Sequence, residues 1–290
     1  MWPVFGPVVR PVAGLIERKL SARQESTIAH ATSKRGLIVG LAWRARNSTG
    51  DASQKVRCSS CPLRAGCLPA GLSPEEFEQV DGRLASWRRK VARGEALFRA
   101  GDRFDAVFAV WSGFFKTVIS SAQGCEQVTG FRMAGEVIGL DGIETGRHRV
   151  DAVALENSQV CVVPFSELEA LEREVPSLQR QFHKIMSREI AFGYNVILLL
   201  GSMYAEERVA AFLLELTHRL QTRGYSASRV VLRMSRVELG SYLGLTLETV
   251  SRTLTKLETS GLLVVQQKQI QIADPDGLQQ LIDGAQLPSC

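Results

Sequence analysis

Three of the chain's six cysteines stand close together, Cys58, Cys61 and Cys67 in CSSCPLRAGC. Two and five residues separate them, so one short loop can present three thiolates to a single metal centre. A four-coordinate centre takes a fourth ligand, and this loop does not hold one. The surrounding segment is polar and basic, unlike the cysteine frameworks of small secreted domains.

The rest of the chain must supply the scaffold for that loop. Its 290 residues, 45% of them apolar, suffice for about two domains with real cores. No run reaches the roughly 18 uncharged apolar residues of a membrane span, and the nearest, around 185–203, is broken by Arg188, Glu189 and Asn195. The opening MWPVFGPVVRPVAGLIERKL carries Pro3, Pro7 and Pro11 and lacks an early basic region, which makes a poor secretory signal. A cytoplasmic protein without a membrane partner is expected, and there cysteines serve as metal ligands or redox sensors more often than as disulfides.

The net charge of +5 does not by itself argue for nucleic acid. Residues 1–57 hold ten basic and three acidic side chains, so this arm carries +7 and the remainder −2. The arm reads as a basic, solvated or disordered extension leading into the cysteine loop at 58–72.

From 73 to 175 the pattern changes to short alternating runs such as FAVWSGFFKTVI and EQVTGFRMAGEVIGL, punctuated by glycines. Many short strands closing into a roll are expected, preceded by a short helix that opens at Ser73-Pro74-Glu75-Glu76. The class is therefore α+β. Between 176 and 204 the period becomes helical. One stripe runs through His183, Met186, Ile190, Gly193, Ile197, Leu200 and Tyr204 in alternating steps of three and four, the spacing of a coiled-coil seam. A second stripe, Phe182, Ile185, Phe192, Val196 and Leu199, lies on a neighbouring face. Two apolar faces on one helix ask for two partners: the chain's own β domain and the same helix of a second subunit.

Residues 205–283 carry the most specific pattern. Ser235 and Glu238 form a capping box before a short helix with Val237, Leu239 and Leu243 inward. Gly244 permits a turn, Thr246 caps a second helix with Val250, Leu254 and Leu257 inward, and LLVVQQKQIQIAD reads as a two-stranded wing. That is a winged helix-turn-helix. Glu248, Thr249, Ser251 and Arg252 stand exposed at the start of the second helix, where they can reach base edges. Residues 284–290 are a tail.

From Cys58 to about Leu281 the sequence resembles the oxygen-sensing FNR branch of the Crp/Fnr regulators. The likeness is carried by EQVTGFRMAGEVIG, MSREI, VILLL, AEERVAAFLLEL, RGYS and LGLTLETVSRTL. The resemblance implies a cyclic-nucleotide-binding-like β-roll sensor domain, a long dimerisation helix and a C-terminal winged helix-turn-helix. It also implies a fourth ligand, Cys161 in SQVCVVPF, completing Cys58, Cys61 and Cys67 around one 4Fe–4S cluster per subunit. Arg57 and Arg64 stand beside these cysteines in the sequence and are expected to offset part of its charge. By the same resemblance a homodimer binds promoter DNA of the TTGAT/ATCAA type through Glu248, Ser251 and Arg252 under low oxygen. The Cys125 hairpin is then the loop that meets RNA polymerase, although relatives carry an acid there. Pro62 follows the second ligand at a position that varies. Gly193 replaces an acid that helps some relatives dissociate, which implies a firmer dimer.

The competing readings are a four-thiolate zinc site, a cyclic-nucleotide regulator and an iron–sulfur electron carrier. Cyclic-nucleotide regulators resemble Gly-Glu-Leu followed by Arg-Ser; here Leu140 and Val150-Asp151 fall at those places, and a carboxylate repels a phosphate. An electron carrier leaves the helix-turn-helix idle. No catalytic constellation or phosphate loop marks an enzyme.

Overall fold

The computed structural model describes residues 57–284 apart from Ser86 and Ala122. Except for Arg57, the basic extension lies outside the described residues, as do the tail beyond Gly284 and Cys290.

Helix α1 (Pro74–Val80) follows the cysteine loop and begins at the expected cap. The Ser73 hydroxyl accepts the Glu76 N–H at 3.2 Å, and the Glu76 carboxylate accepts the Ser73 N–H at 2.9 Å. Eight strands come next: β1 (Trp87–Val91), β2 (Ala96–Phe98), β3 (Ala106–Ser112), β4 (Phe114–Ser120), β5 (Glu126–Met133), β6 (Val137–Ile138), β7 (Asp151–Ala154) and β8 (Ser158–Pro164). They form two four-stranded sheets, ordered β1-β8-β3-β6 and β2-β7-β4-β5, with every pairing antiparallel. The alternation in the sequence becomes this roll because each strand turns one set of side chains inward.

Three helices leave the roll: α2 (Phe165–Glu174), α3 (Pro176–Ser202) and α4 (Ala205–Gln221). The rest is β9 (Arg229–Val231), α5 (Arg236–Leu243), α6 (Leu247–Thr259), the hairpin β10 (Leu263–Gln266) and β11 (Gln269–Ile272), and α7 (Pro275–Asp283). Strand β9 joins the far edge of β11.

Two hydrophobic cores hold these elements. One packs Leu68 of the cysteine loop and Val80 of α1 against Val163, Leu168, Leu178, Phe182 and Ile185. The other joins the β4–β5 hairpin, through Phe114, Val118 and Phe131, to Leu199, Phe212, Tyr242, Leu243 and the α6 core. Helix α3 contributes to both cores, so its inward stripe ties the sensor roll to the C-terminal part. At about 1.5–3 kcal/mol per fully buried large side chain, this stripe anchors the helix. The other stripe faces solvent in the single chain: Ile190 is 57% exposed and Ile197 69%.

At the corner between α3 and α4 one arginine satisfies several helix-end carbonyls. Arg208 donates to the carbonyls of Met203 at 2.8 Å, Leu200 at 2.9 Å and Leu243 at 2.9 Å. The C-terminal part also meets the roll through polar contacts. Lys116 lies 2.8 Å from Glu238, the Val128 N–H donates to the Ser241 hydroxyl at 2.9 Å, and Gln127 donates to the Ser241 carbonyl.

Candidate metal centre and nucleic-acid interface

The cysteine loop is built from consecutive tight turns. The Cys61 N–H donates to the Cys58 carbonyl at 3.1 Å, Gly66 to Leu63 at 3.0 Å, and Ala70 to Cys67 at 3.1 Å. Two external ties hold the loop. Asp81 accepts the Ser59 N–H at 3.2 Å and its hydroxyl at 2.6 Å, and Gln181 of α3 donates to the Cys67 carbonyl at 3.2 Å. Cys161 approaches from β8, paired with Arg88 of β1 on one side and Ala109 of β3 on the other.

The thiols of Cys58, Cys61, Cys67 and Cys161 are free, partly buried and near enough to act on one another. Burial, with the neighbouring Cys67 and Cys161 thiols, the Asp81 carboxylate and Cys61 adding to it, pushes the Cys58 pKa up to about 12. Burial also pushes Cys67 up to about 12, against the opposing Leu68 N–H. Cys161 is raised by burial as well, although a hydrogen bond and the charge of Arg88 pull it back. Raised values favour the protonated thiol at Cys58, Cys67 and Cys161 when no metal is bound. Metal coordination removes such protons outright.

Among the described residues, no three His, Cys, Asp or Glu side chains close on a point that could hold one metal ion. Four cysteine thiolates are the donor set of a tetrahedral zinc and of an iron–sulfur cluster alike. One further feature fits an anionic sulfur group: the Nε–H of Arg88, beside Cys161, is buried without a hydrogen-bond partner. The sequence reading missed Arg88, because only the β1–β8 register brings it opposite Cys161. Arg64, expected to offset the charge, is turned to the Ser59 carbonyl at 3.3 Å and lies 5.9 Å from the Phe77 ring. Arg57 is exposed.

The second site lies on α5 and α6. The Ser235 hydroxyl accepts the Glu238 N–H at 3.2 Å and Glu238 accepts the Ser235 N–H at 2.7 Å, completing the expected capping box. Gly244 ends α5 at φ 64, a left-handed value suited to glycine. A Cβ on Gly240 would meet the Leu245 carbonyl at 2.5 Å, so the tight turn depends on its absence. Leu239 and Leu243 point inward, but Val237 does not: it is 61% exposed. It stands two residues before the buried Leu239, about 200° round the helix, and so falls on the opposite face.

Thr246 caps α6, accepting the Thr249 N–H at 3.1 Å. Val250, Leu254 and Leu257 are buried beneath the helix. Glu248, Ser251 and Arg252 are exposed, and the Glu248 and Arg252 side chains are 79% and 83% exposed and lie 3.7 Å apart. Thr249 is half-buried and its hydroxyl is 2.9 Å from that of Thr246. The wing is fastened to α5 by Arg236, which donates to the Gln267 carbonyl at 3.0 Å.

A cavity of about 720 Å³ lies between the roll and α3, lined by Arg132, Asp141, Glu144, Arg149, Glu189 and Ile190 among others. Both arginines are already paired: Arg132 with Glu189 at 2.5 Å and Arg149 with Glu144 at 2.7 Å. Among the described residues no helix is long and apolar enough to cross a membrane.

A capped helix-turn-helix with a wing, joined through a long helix to a β-roll, defines a DNA-binding transcription regulator. Residues 207–281 match the Crp-like helix-turn-helix domain and residues 88–174 the cyclic nucleotide-binding domain. The chain is 44% identical over 227 residues to the transcriptional regulatory protein btr of Bordetella pertussis, covering 78% of this chain and 93% of that protein. It is 40% identical over 226 residues to the fumarate and nitrate reduction regulatory protein of Escherichia coli (strain K12), covering 78% and 90%. The solved structure of FixK2 from Bradyrhizobium japonicum superposes with a TM-score of 0.61 at 33% identity, covering 67% of this chain and 96% of that one. The chain belongs to the Crp/Fnr family of transcriptional regulators, in its FNR-type branch.

Proposed function

We propose that this regulator senses oxygen through a 4Fe–4S cluster held by Cys58, Cys61, Cys67 and Cys161. Under low oxygen it acts as a homodimer on palindromic TTGAT/ATCAA-type promoter sites and controls anaerobic or microaerobic genes. The observation that carries the reading is the gathering of four free, partly buried thiols from the loop and from β8. When bound, the cluster supplies an oxygen-reactive redox centre.

The chain's own part is to turn order in the loop into order in α3. Gln181 joins α3 to the Cys67 carbonyl, and Leu68 shares a core with Leu178, Phe182 and Ile185. A loop that lets go uncovers this end of the helix and weakens the platform on which Met186, Ile190, Gly193, Ile197 and Leu200 would meet a second subunit. Two half-sites one helical turn apart need two correctly spaced recognition helices, so pairing of α3 controls DNA binding. Glu248, Ser251 and Arg252 read bases. Thr249 acts mainly through its cap, given its bond to Thr246. The Cys125 hairpin is exposed, as a contact for RNA polymerase must be. A cyclic nucleotide is not favoured, because its phosphate would compete with Glu189 and Glu144 for the arginines of the cavity.

Anaerobically purified protein should hold about four irons and four acid-labile sulfides per chain. Cys61→Ser and Cys161→Ser should abolish both, and Cys125→Ser neither. Stoichiometric zinc without visible absorbance would overturn the assignment.

A further inference from the structure

We propose that Arg88 is a positioning residue for the cysteine site, a fixed cation that supports the Cys161 thiolate and with it retention of the iron–sulfur group. This rests on the cluster reading above.

Arg88 and Cys161 are directly paired on the antiparallel strands β1 and β8, so their side chains share one face of the sheet. The guanidinium carbon of Arg88 lies 4.2 Å from the centre of the Trp111 ring. Such a stack holds an arginine in place and leaves its donors in plane for other partners. Its neighbour Arg89, on the opposite face, is bonded to the Leu97 carbonyl at 3.0 Å and to Glu95 at 3.3 Å. Arg88 instead keeps a buried Nε–H with no acceptor. Leaving such a donor unpaired is costly, and a charged one more so. The arrangement therefore suits an acceptor that arrives with the bound group.

The direction of the effect follows from charge. Four neutral thiols become four thiolates on a 4Fe–4S core of charge +2, their protons pass to water, and the site goes from neutral to −2. A cation that cannot swing away favours the loaded state. It favours the one-electron-reduced state, at −3, still more. Arg64 already spends a donor on the Ser59 carbonyl, whereas the Arg88 Nε–H is unspent.

The test begins with protein reconstituted without air from equal ferrous and ferric iron plus sulfide, which balances the +2 core without an added oxidant. Iron loss to excess chelator is then followed by visible absorption. Arg88→Gln should lose iron on the order of ten- to a hundredfold faster than wild type, and its one-electron midpoint potential should fall. Arg88→Lys should recover part of both effects. Trp111→Leu, which keeps the charge but frees the guanidinium, should also lose iron faster, and it carries the comparison if Arg88→Gln does not fold. Equal rates and potentials in wild type and variants would overturn the role of Arg88 alone. So would variants that only lower the melting temperature of the metal-free protein. A wild type that takes up no iron would overturn the cluster reading and this inference together.

Discussion

Arg219 donates to Glu136 at 2.6 Å, joining helix α4 of the DNA-binding part to the turn between β5 and β6 of the roll. Arg223 shares the same carboxylate at 2.7 Å, and all three side chains are less than a fifth exposed. Removing the anion leaves two guanidiniums facing each other in a poorly solvated joint. Glu136→Gln should therefore lower the unfolding free energy by about 3–5 kcal/mol, the usual cost of breaking a buried pair from one side. Arg223→Gln should cost less, because Arg219 keeps its partner. Urea titration of the three proteins measures the difference.

Asp141 predicts an acid limb. Burial raises its pKa, but the hydrogen bond from His148, the Arg149 N–H, the charge of His148 and the Val150 N–H together hold it below the ordinary 3.8. A depressed carboxylate contributes stability above its unfolded pKa and loses it as pH falls through the folded value. Wild type should thus lose part of its stability as pH falls below about 3.8, and Asp141→Asn should flatten that limb while being less stable at neutral pH. Thermal melts across the range decide it.

The exposed stripe of α3 predicts association. Ile190→Glu puts a charge at the proposed seam and should leave the protein monomeric even without oxygen. Val237→Glu, at a similarly exposed site away from the seam, should leave the oligomeric state unchanged. A Cβ at Gly193 meets nothing within 4 Å, so Gly193→Asp should fold normally. Like charges across a two-fold should then make its dimer dissociate more readily in air. A hundredfold change in dimer dissociation corresponds to about 2.7 kcal/mol. Sedimentation with and without air reads all three, and a dimeric Ile190→Glu protein removes the seam.

Arg252 predicts base discrimination. Among the described residues its guanidinium has only a long, solvent-exposed contact with Glu248 to give up on meeting DNA. Arg252→Ala should cost about 1–3 kcal/mol and relax preference at one base position. Binding measured over single-base variants of the half-site checks this. Equal weakening on every variant would mean that Arg252 touches phosphate only.

The helix-turn-helix was legible in the sequence because its signals are local. Ser235 with Glu238, Gly244 and Thr246 each act within a few residues of chain, and the structure uses all of them. The roll was legible as short strands between glycines. The two stripes of α3 were legible from helical spacing, and their exposed and buried faces fall where that spacing put them. Cys161 as a partner for the cysteine loop came only from likeness to a family, since no local pattern ties one cysteine on a strand to three in a distant loop. Val237 faces solvent because it lies about 200° round the helix from Leu239, which fills the core, and eight residues are too few for an apolar stripe to show which of the two faces is buried.

Tertiary structure alone decided what strand register and packing bring together. The β1–β8 pairing sets Arg88 opposite Cys161, and the folded joint sets Glu136 between Arg219 and Arg223. It also set Arg64 on the Ser59 carbonyl and 5.9 Å from the Phe77 ring. Periodicity determines which face of an element is apolar, because burial follows the repeat of the backbone. Which charges meet across elements depends on alignment between segments far apart in sequence, and only the assembled core fixes that alignment.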